Sequence, residues 1–302
     1  MSWHDILIQQ LINGITIGMV YALIALGYTM VYGIINLINF AHGEIFMVGA
    51  YLAWSLFTVT ISAGEARGIA LLFLILAGFI VGMAGCGVLG VAIERVAYRP
   101  LRNAPRLAPL ITAIGVSFFL QNAVMLLYGA SDKSFPSLFP HYSFYIGQAS
   151  VTGLQILIVA VSIALMLVLH YFIKLSKMGK ALRATSQDLK TASLMGIDVN
   201  RIISLCFLIG SSLAAAGGVM FGMYYNTINF HDGYIAGLKA FTAAVLGGIG
   251  NVAGAMLGGV VIGLIEGLGA GYISSQWKNV FAFIILVLIL LFKPTGLLGE
   301  KK

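Results

Sequence analysis

The chain has 302 residues, of which 60% are hydrophobic and 9% charged, and its mean hydropathy is +1.00. A soluble domain of this size cannot hide that much apolar surface, so the composition defines an all-α polytopic membrane protein. The formal net charge of +7 would suggest nucleic-acid binding in a soluble protein. Here the basic residues cluster in loops between apolar segments, so they report topology and imply no nucleic-acid partner.

A hydrocarbon core of about 30 Å needs about 20 apolar residues per helix. Segments near 8–33, 69–91, 107–129, 151–173 and 202–225 meet that length, and 44–62 and 278–293 are shorter candidates. The first of these lacks the basic flank of a signal peptide and exceeds the usual signal core, so it reads as a retained span. Residues 238–272 form a long apolar stretch interrupted by Gly247, Gly248, Gly250, Asn251 and Gly254. A broken or re-entrant hairpin is expected there, giving about eight or nine membrane segments within a single transmembrane domain, 1–302. Cys86 and Cys206 lie in apolar runs without metal-ligand or CxxC spacing, which assigns them to packing.

Orientation follows from Lys and Arg, which stay on the cytoplasmic side near span ends. Arg95, Arg99, Arg102 and Arg106 share one loop; Lys174, Lys177, Lys180, Arg183, Lys190 and Arg201 share a second; Lys293, Lys301 and Lys302 come after the last span. Arg67, Lys133, Lys239 and Lys278 are left for the other side. This distribution predicts a multi-pass membrane protein with an external N-terminus and a cytoplasmic C-terminus. The loop 130–150 is aromatic, contains proline and has little charge, so it is expected at the external interface, where Tyr and Phe rings settle. No internal repeat of 20–50 residues is evident.

Residues 174–201 cannot lie in hydrocarbon, where each Lys or Arg costs about 2.5 to 3.5 kcal/mol. Leu182, Thr185, Leu189 and Ala192 recur at spacings of three and four, which predicts a short surface helix with a weak apolar stripe. Thr185 with Asp188 resembles a capping box, Lys190 complements a final turn, and Gly196 suits a left-handed C-terminal cap.

The stretch RATSQDLKTASLMGID, followed by an apolar helix, resembles the cytoplasmic coupling loop of ABC importer permeases. Two further blocks, GYTMVYGIINLINFAHGE from Gly27 and AFTAAVLGGIGNVAGAMLGG from Ala240, resemble those of high-affinity branched-chain amino-acid permeases. The loop departs from the general importer pattern in having Arg183, Ala184 and Thr185 where a Glu-Ala-Ala opening is usual. The resemblance implies a transport subunit of the bacterial inner membrane, its N-terminus periplasmic, that pairs with a second homologous permease, two cytoplasmic ATPase subunits and a periplasmic amino-acid-binding protein, surrounded by membrane lipid. It also implies that Arg183, Ala184, Asp188, Leu189, Ala192, Gly196 and Asp198 couple the chain to its ATPases. Independently, the chain has no GxxxxGK[ST] phosphate loop, because Gly179 and Lys180 are followed by Ala181. ATP with Mg would therefore bind partner chains, leaving this subunit without a cofactor and without enzymatic activity. A permease for urea, short amides or other amino acids, or an ion-coupled secondary carrier, stands as the alternative.

Asn36, Asn39, His42 and Glu44 fall between two apolar segments, near the cytoplasmic side in this topology. Polar groups there suggest irregular backbone, tolerated at membrane depth only against protein or a water-filled path, so they are candidates for an inner gate. Glu44 also suits the first turn of the following helix. Gly247, Gly248, Gly250 and Asn251 are further path candidates, since a broken helix end can expose backbone groups to a substrate. Glu266, inside an apolar run, is expected to reach interfacial water or a neighbouring subunit. Glu94 and Arg95 mark a helix end.

Overall fold

The computed structural model describes residues 3–35, 37–63, 69–102, 104–105, 107–139 and 142–299. The first helix, α1 (Trp3–Ile35), is buried along most of its length. Its periodicity is nearly featureless because neighbours surround it on all sides, as expected of a helix apolar all round. Around it stand α2 (His42–Ala63), α3 (Ile69–Ile93), α4 (Leu107–Tyr128), α5 (Gly153–Leu175), α8 (Val199–Tyr225), α9 (Asp232–Gly247), α10 (Val252–Tyr272) and α11 (Lys278–Phe292), while α6 (Lys177–Gln187) and α7 (Leu189–Leu194) lie between α5 and α8. Among the described residues, eight helices are long and apolar enough to span a membrane, and 81% of the residues are helical. The expected all-α polytopic fold is therefore present.

The most extensive contact runs between α1 and α10. It is made by backbone against backbone: a Cβ added at Gly14 would lie 2.9 Å from Leu264 Cα, and one added at Gly18 would lie 2.9 Å from Val260 Cα. Small residues let two helices approach to this distance, where dispersion and interhelical contacts replace the hydrophobic drive that lipid cannot supply. The α3–α8 contact uses the same device at Gly87 and Gly90, which face Ser212 and Ser211. By contrast, α4, α5 and α11 turn most of their surface outward.

The expected hairpin at 238–272 is two helices, α9 and α10. The first is 16 residues long and the second 21, joined by a turn at 248–251. The expected external loop is partly ordered as strand. Residues Ser143–Ile146 and Ala149–Thr152 form an antiparallel hairpin, and Lys133–Ser134 pairs with Thr227–Ile228 just beyond α8. Tyr142, Phe144 and Tyr145 are exposed along that hairpin. A cavity of about 440 Å³ lies beneath it, lined by the amide side chains of Gln9, Asn13 and Gln155 together with Tyr224.

Residues 37–41 turn the chain back on itself. The His42 ring packs against Gly27, eight residues before the end of α1, so α2 begins about 12 Å inside that end. Cys86, seven residues before the end of α3, donates its thiol to Ile45 O at 3.4 Å. The first turn of α2 thus starts inside the ends of α1 and α3.

Candidate functional site

Two places gather the polar residues singled out by the sequence: the segment 176–198 and the re-entrant turn 37–44. In the first, Ser176 caps α6 by accepting from Gly179 N at 2.8 Å, and Asp188 breaks the helix and caps α7 by accepting from Lys190 N at 2.9 Å. The segment is therefore two helices, where the sequence suggests one. Asp188 is not the acidic member of a capping box with Thr185, whose hydroxyl donates back to Ala181 O at 2.8 Å within α6. Lys190 falls in the first turn of α7, not the last. The Thr191 hydroxyl and the Lys190 N–H both point at Asp188, and together they hold its carboxyl below the usual carboxylate range.

Gly196 ends α7 in the left-handed region with φ +83°. Its N–H reaches Ser193 O at 3.0 Å and Ile197 N–H reaches Ala192 O at 3.1 Å, the paired bonds of a Schellman cap. Asp198 then caps α8, accepting from Arg201 N at 3.2 Å. Leu182, Thr185 and Ala192 are buried against the bundle, whereas Leu189, expected on the same stripe, is exposed. Arg183 donates to Ile173 O on the last turn of α5, and Ala184 faces outward. Leu194 and Met195, which the periodicity did not mark, are 87% and 79% exposed at the tip. Two large apolar side chains presented by a capped, rigid turn among charged neighbours are suited to an apolar groove on a soluble partner.

In the re-entrant turn, Asn36 lies outside the described residues. Asn39 Oδ1 accepts from Ala41 N at 3.1 Å and from the Tyr98 hydroxyl at 3.0 Å, and Asn39 O accepts from His42 N at 3.0 Å. His42 lies edge-on to Tyr28, with ring centroids 4.8 Å apart. Glu44 Oε1 accepts from Ser117 at 3.2 Å, and its carboxylate rests on Gly233 in the first turn of α9. Among the described residues, Asn39 Nδ2, His42 Nε2 and Glu44 Oε2 are buried without a hydrogen-bond partner. Orphaned polar atoms are rare in finished interiors and mark places that meet water, ligand or a second arrangement.

The glycine turn lies elsewhere. Gly248 and Gly250 have φ +102° and +98°, and Asn251 caps α10 through Gly254 N at 3.0 Å while its Nδ2 donates to Leu298 O at 2.8 Å. Leu297 N and Leu298 N donate to the last carbonyls of α9, Leu246 O at 2.7 Å and Gly247 O at 3.0 Å. The tail therefore covers this turn, and Gly247 packs against Gly254 across the hairpin.

Two acidic residues have partners that the sequence did not reveal. Lys239, expected on the external side, is buried within α9 at 4% exposure; its Nζ lies 2.9 Å from Glu266 Oε1 and 3.2 Å from the Tyr21 hydroxyl, which donates to Glu266 Oε2 at 3.0 Å. Glu266 was expected at interfacial water or a neighbouring subunit; it is buried and joins α9, α10 and α1 inside the chain. Glu94, expected only to mark a helix end, is fully buried and accepts from Arg99, Arg102 and Ser204.

Among known proteins, the family model described as "Branched-chain amino acid transport system / permease component" matches residues 10–290. The chain belongs to that family. The permease is 48% identical over 300 residues to the high-affinity branched-chain amino acid transport system permease protein LivH of Escherichia coli K12, covering 98% of this chain and 96% of the relative. It is 50% identical to the corresponding protein BraD of Pseudomonas aeruginosa over the same shares. A probable branched-chain amino acid transport permease of Methanocaldococcus jannaschii is 29% identical over 92% of this chain and 88% of its own length. No solved structure matches.

Proposed function

We propose that this permease is the membrane subunit of an ABC importer that carries leucine, isoleucine and valine inward. In this reading a second, homologous permease completes the path, two cytoplasmic ATPases supply the work, and a periplasmic binding protein delivers the substrate. The observation that carries it is near-full-length similarity to permeases named for branched-chain amino acids, at 48–50% identity. The folded segment 176–198 supports the coupling role, because its caps fix the exposed pair Leu194 and Met195 for rigid docking. In that topology segment 176–198 and the C-terminus face the cytoplasm, and the hairpin 143–152 faces the periplasm.

The re-entrant turn 39–44 is assigned to the inner gate, with the unpartnered atoms of Asn39, His42 and Glu44 as groups that exchange partners when it opens. The glycine turn 247–251 is assigned to a joint that anchors α9 to α10. Pairing of Glu266 with Lys239 disfavours the secondary-carrier alternative, since it leaves that carboxylate already neutralised within the chain.

The test is uptake of radiolabelled leucine into proteoliposomes holding the permease with its co-purifying subunits, with binding protein outside and ATP inside. ATP-dependent uptake of leucine, competed by isoleucine and valine but not by urea or acetamide, is the expected result. Uptake that persists without ATP and collapses with the proton gradient would overturn the reading. Reversing charges at Arg183 and Asp188 together, or changing Gly196→Pro, should abolish uptake while the protein still inserts. Normal uptake by those variants at normal abundance would remove the coupling role of this segment.

A further inference from the structure

We infer that Glu94 and Tyr98, on the π-helical turn that ends α3, are positioning residues through which movement of segment 176–198 reaches the re-entrant turn. This rests on the permease reading above and adds a route between its two functional places.

The route is continuous in the structure. Asp198 closes the segment and caps α8, so the first turns of α8 move with it as one body. Those turns carry Asn200 and Ser204. Arg102 donates to Asn200 Oδ1 at 2.6 Å and also pairs with Glu94, while Ser204 donates to Glu94 Oε2 at 2.8 Å. Arg99 bridges the two, 2.9 Å from both Glu94 Oε2 and Ser204 Oγ. A carboxylate with 0% exposure, held by two guanidinium groups and a hydroxyl, is far more than a helix end requires. The arrangement ties α3 to the start of α8 by charge-assisted hydrogen bonds that fix geometry as well as energy.

Four residues past Glu94, the buried Tyr98 ring packs on Phe207 of α8 with centroids 5.3 Å apart, and its hydroxyl donates to Asn39 Oδ1 at 3.0 Å. Asn39 in turn organises the start of α2 through Ala41 N and His42 N. The residues from Glu94 to Tyr98 form a π-helix, whose hydrogen bonds span one residue more than those of an α-helix. Such turns concentrate at functional sites, and recovering α geometry would swing the residues beyond Tyr98 by about 100°, the rotation of one residue. The Glu94 contacts clamp this turn in its π form, in which the Tyr98 hydroxyl reaches Asn39. Asn39 Nδ2 has no hydrogen-bond partner among the described residues, and Asn39 Oδ1 takes its hydrogen bond from outside the turn from Tyr98. A shift of α8 thus loads Glu94, and the π turn passes it to the gate. Coupling between distant sites needs an element with two arrangements that both sites bias, and the π turn supplies one.

The experiment uses the whole complex in proteoliposomes and measures leucine moved per ATP hydrolysed, a ratio that loss of folded protein does not change. Tyr98→Phe keeps the ring against Phe207 and removes the hydroxyl alone, and Ser204→Ala cuts the link one step earlier. Glu94→Gln leaves Arg99 and Arg102 without their carboxylate; if too little of it folds to be measured, the other two variants carry the test. Each variant should lower the ratio about tenfold, within the range of measured couplings between sites, and the Tyr98→Phe/Ser204→Ala double variant should be no worse than either alone, because both act on one route. An unchanged ratio in Tyr98→Phe and Ser204→Ala overturns the inference, and so does a fall in uptake matched by an equal fall in hydrolysis, which marks a structural role. If the unaltered complex itself shows no ATP-dependent uptake, the permease reading fails first and the inference falls with it.

Discussion

The seam between α1 and α10 and the joint where the re-entrant turn meets the end of α3 and the start of α8 are built from different materials. In the seam, glycines bring backbones together. In the joint, rings and hydrogen bonds do the work, and the buried atoms without partners, among the described residues, all fall on α1, α2 or the turn between them: Thr29 Oγ1, Asn39 Nδ2, His42 Nε2, Glu44 Oε2 and Tyr51 OH. A protein that must move cannot be equally finished everywhere. Close backbone packing has one arrangement, because any shift makes atoms collide, whereas a half-satisfied polar joint can trade partners at small net cost.

The sharpest way to break this comparison is to fill the seam. Gly263→Leu should prevent stable assembly, since even a Cβ there would collide with Gly14 and Gly18. Overpacking of this kind costs about 1–3 kcal/mol or more, and the check is the amount of monodisperse permease after detergent extraction. If Gly263→Leu folds normally, the seam is not the rigid element described.

Removing one side of the buried pair comes next. Lys239→Met leaves Glu266 uncompensated and should cost about 3–5 kcal/mol, seen as a lowered thermal unfolding midpoint. Lys239→Met combined with Glu266→Leu should recover most of that loss, because a buried pair is often replaceable by well-packed apolar groups. Failure of the double variant to recover would mean that the pair does more than hold α9 to α10 and α1.

A smaller effect is expected at the edge of the joint. Gly196→Ala places a side chain at φ +83°, where an L-residue is penalised by about 1–2 kcal/mol. A Cβ there would meet no other atom, so the penalty is purely local. Uptake should fall while membrane abundance and thermal stability stay unchanged, which contrasts with Gly263→Leu.

The smallest effect concerns pH. The Asp188 carboxyl titrates below its ordinary value, so its cap on α7 is fully present above the unfolded carboxylate range and is lost only as pH falls through the lowered folded value. Hydrogen exchange at Lys190 and Thr191 should show the same protection factors at pH 7 and pH 5. Asp188→Asn, which caps without a titratable group, should remove whatever pH dependence appears at greater acidity.

The spans were legible in the sequence because membrane thickness sets a length that no other structure needs, and helices α1, α3, α4, α5 and α8 fall where apolar length places them. Gly196 was legible for a reason just as local, the handedness of a helix stop. The pairs were not. Lys239 and Glu266 sit in different helices, and a hydropathy profile treats a lone lysine as a loop boundary because it cannot see the carboxylate opposite. Tyr98 and Asn39 are 59 positions apart, and nothing local to either announces the other. The fold-back at 37–41 was hidden likewise, since it depends on His42 finding room over Gly27.

The cover over the glycine turn carries a consequence for biogenesis. The last carbonyls of α9 are satisfied by Leu297 and Leu298, and the side chain of Asn251 by Leu298, so the α9–α10 hairpin is complete only after residues synthesised well behind it have reached the membrane. A chain released before Thr295 would carry its spans but leave three hydrogen-bonding groups of that hairpin open at its tip. Quality control acting on such groups would recognise a truncated permease by a loose hairpin rather than by a missing helix.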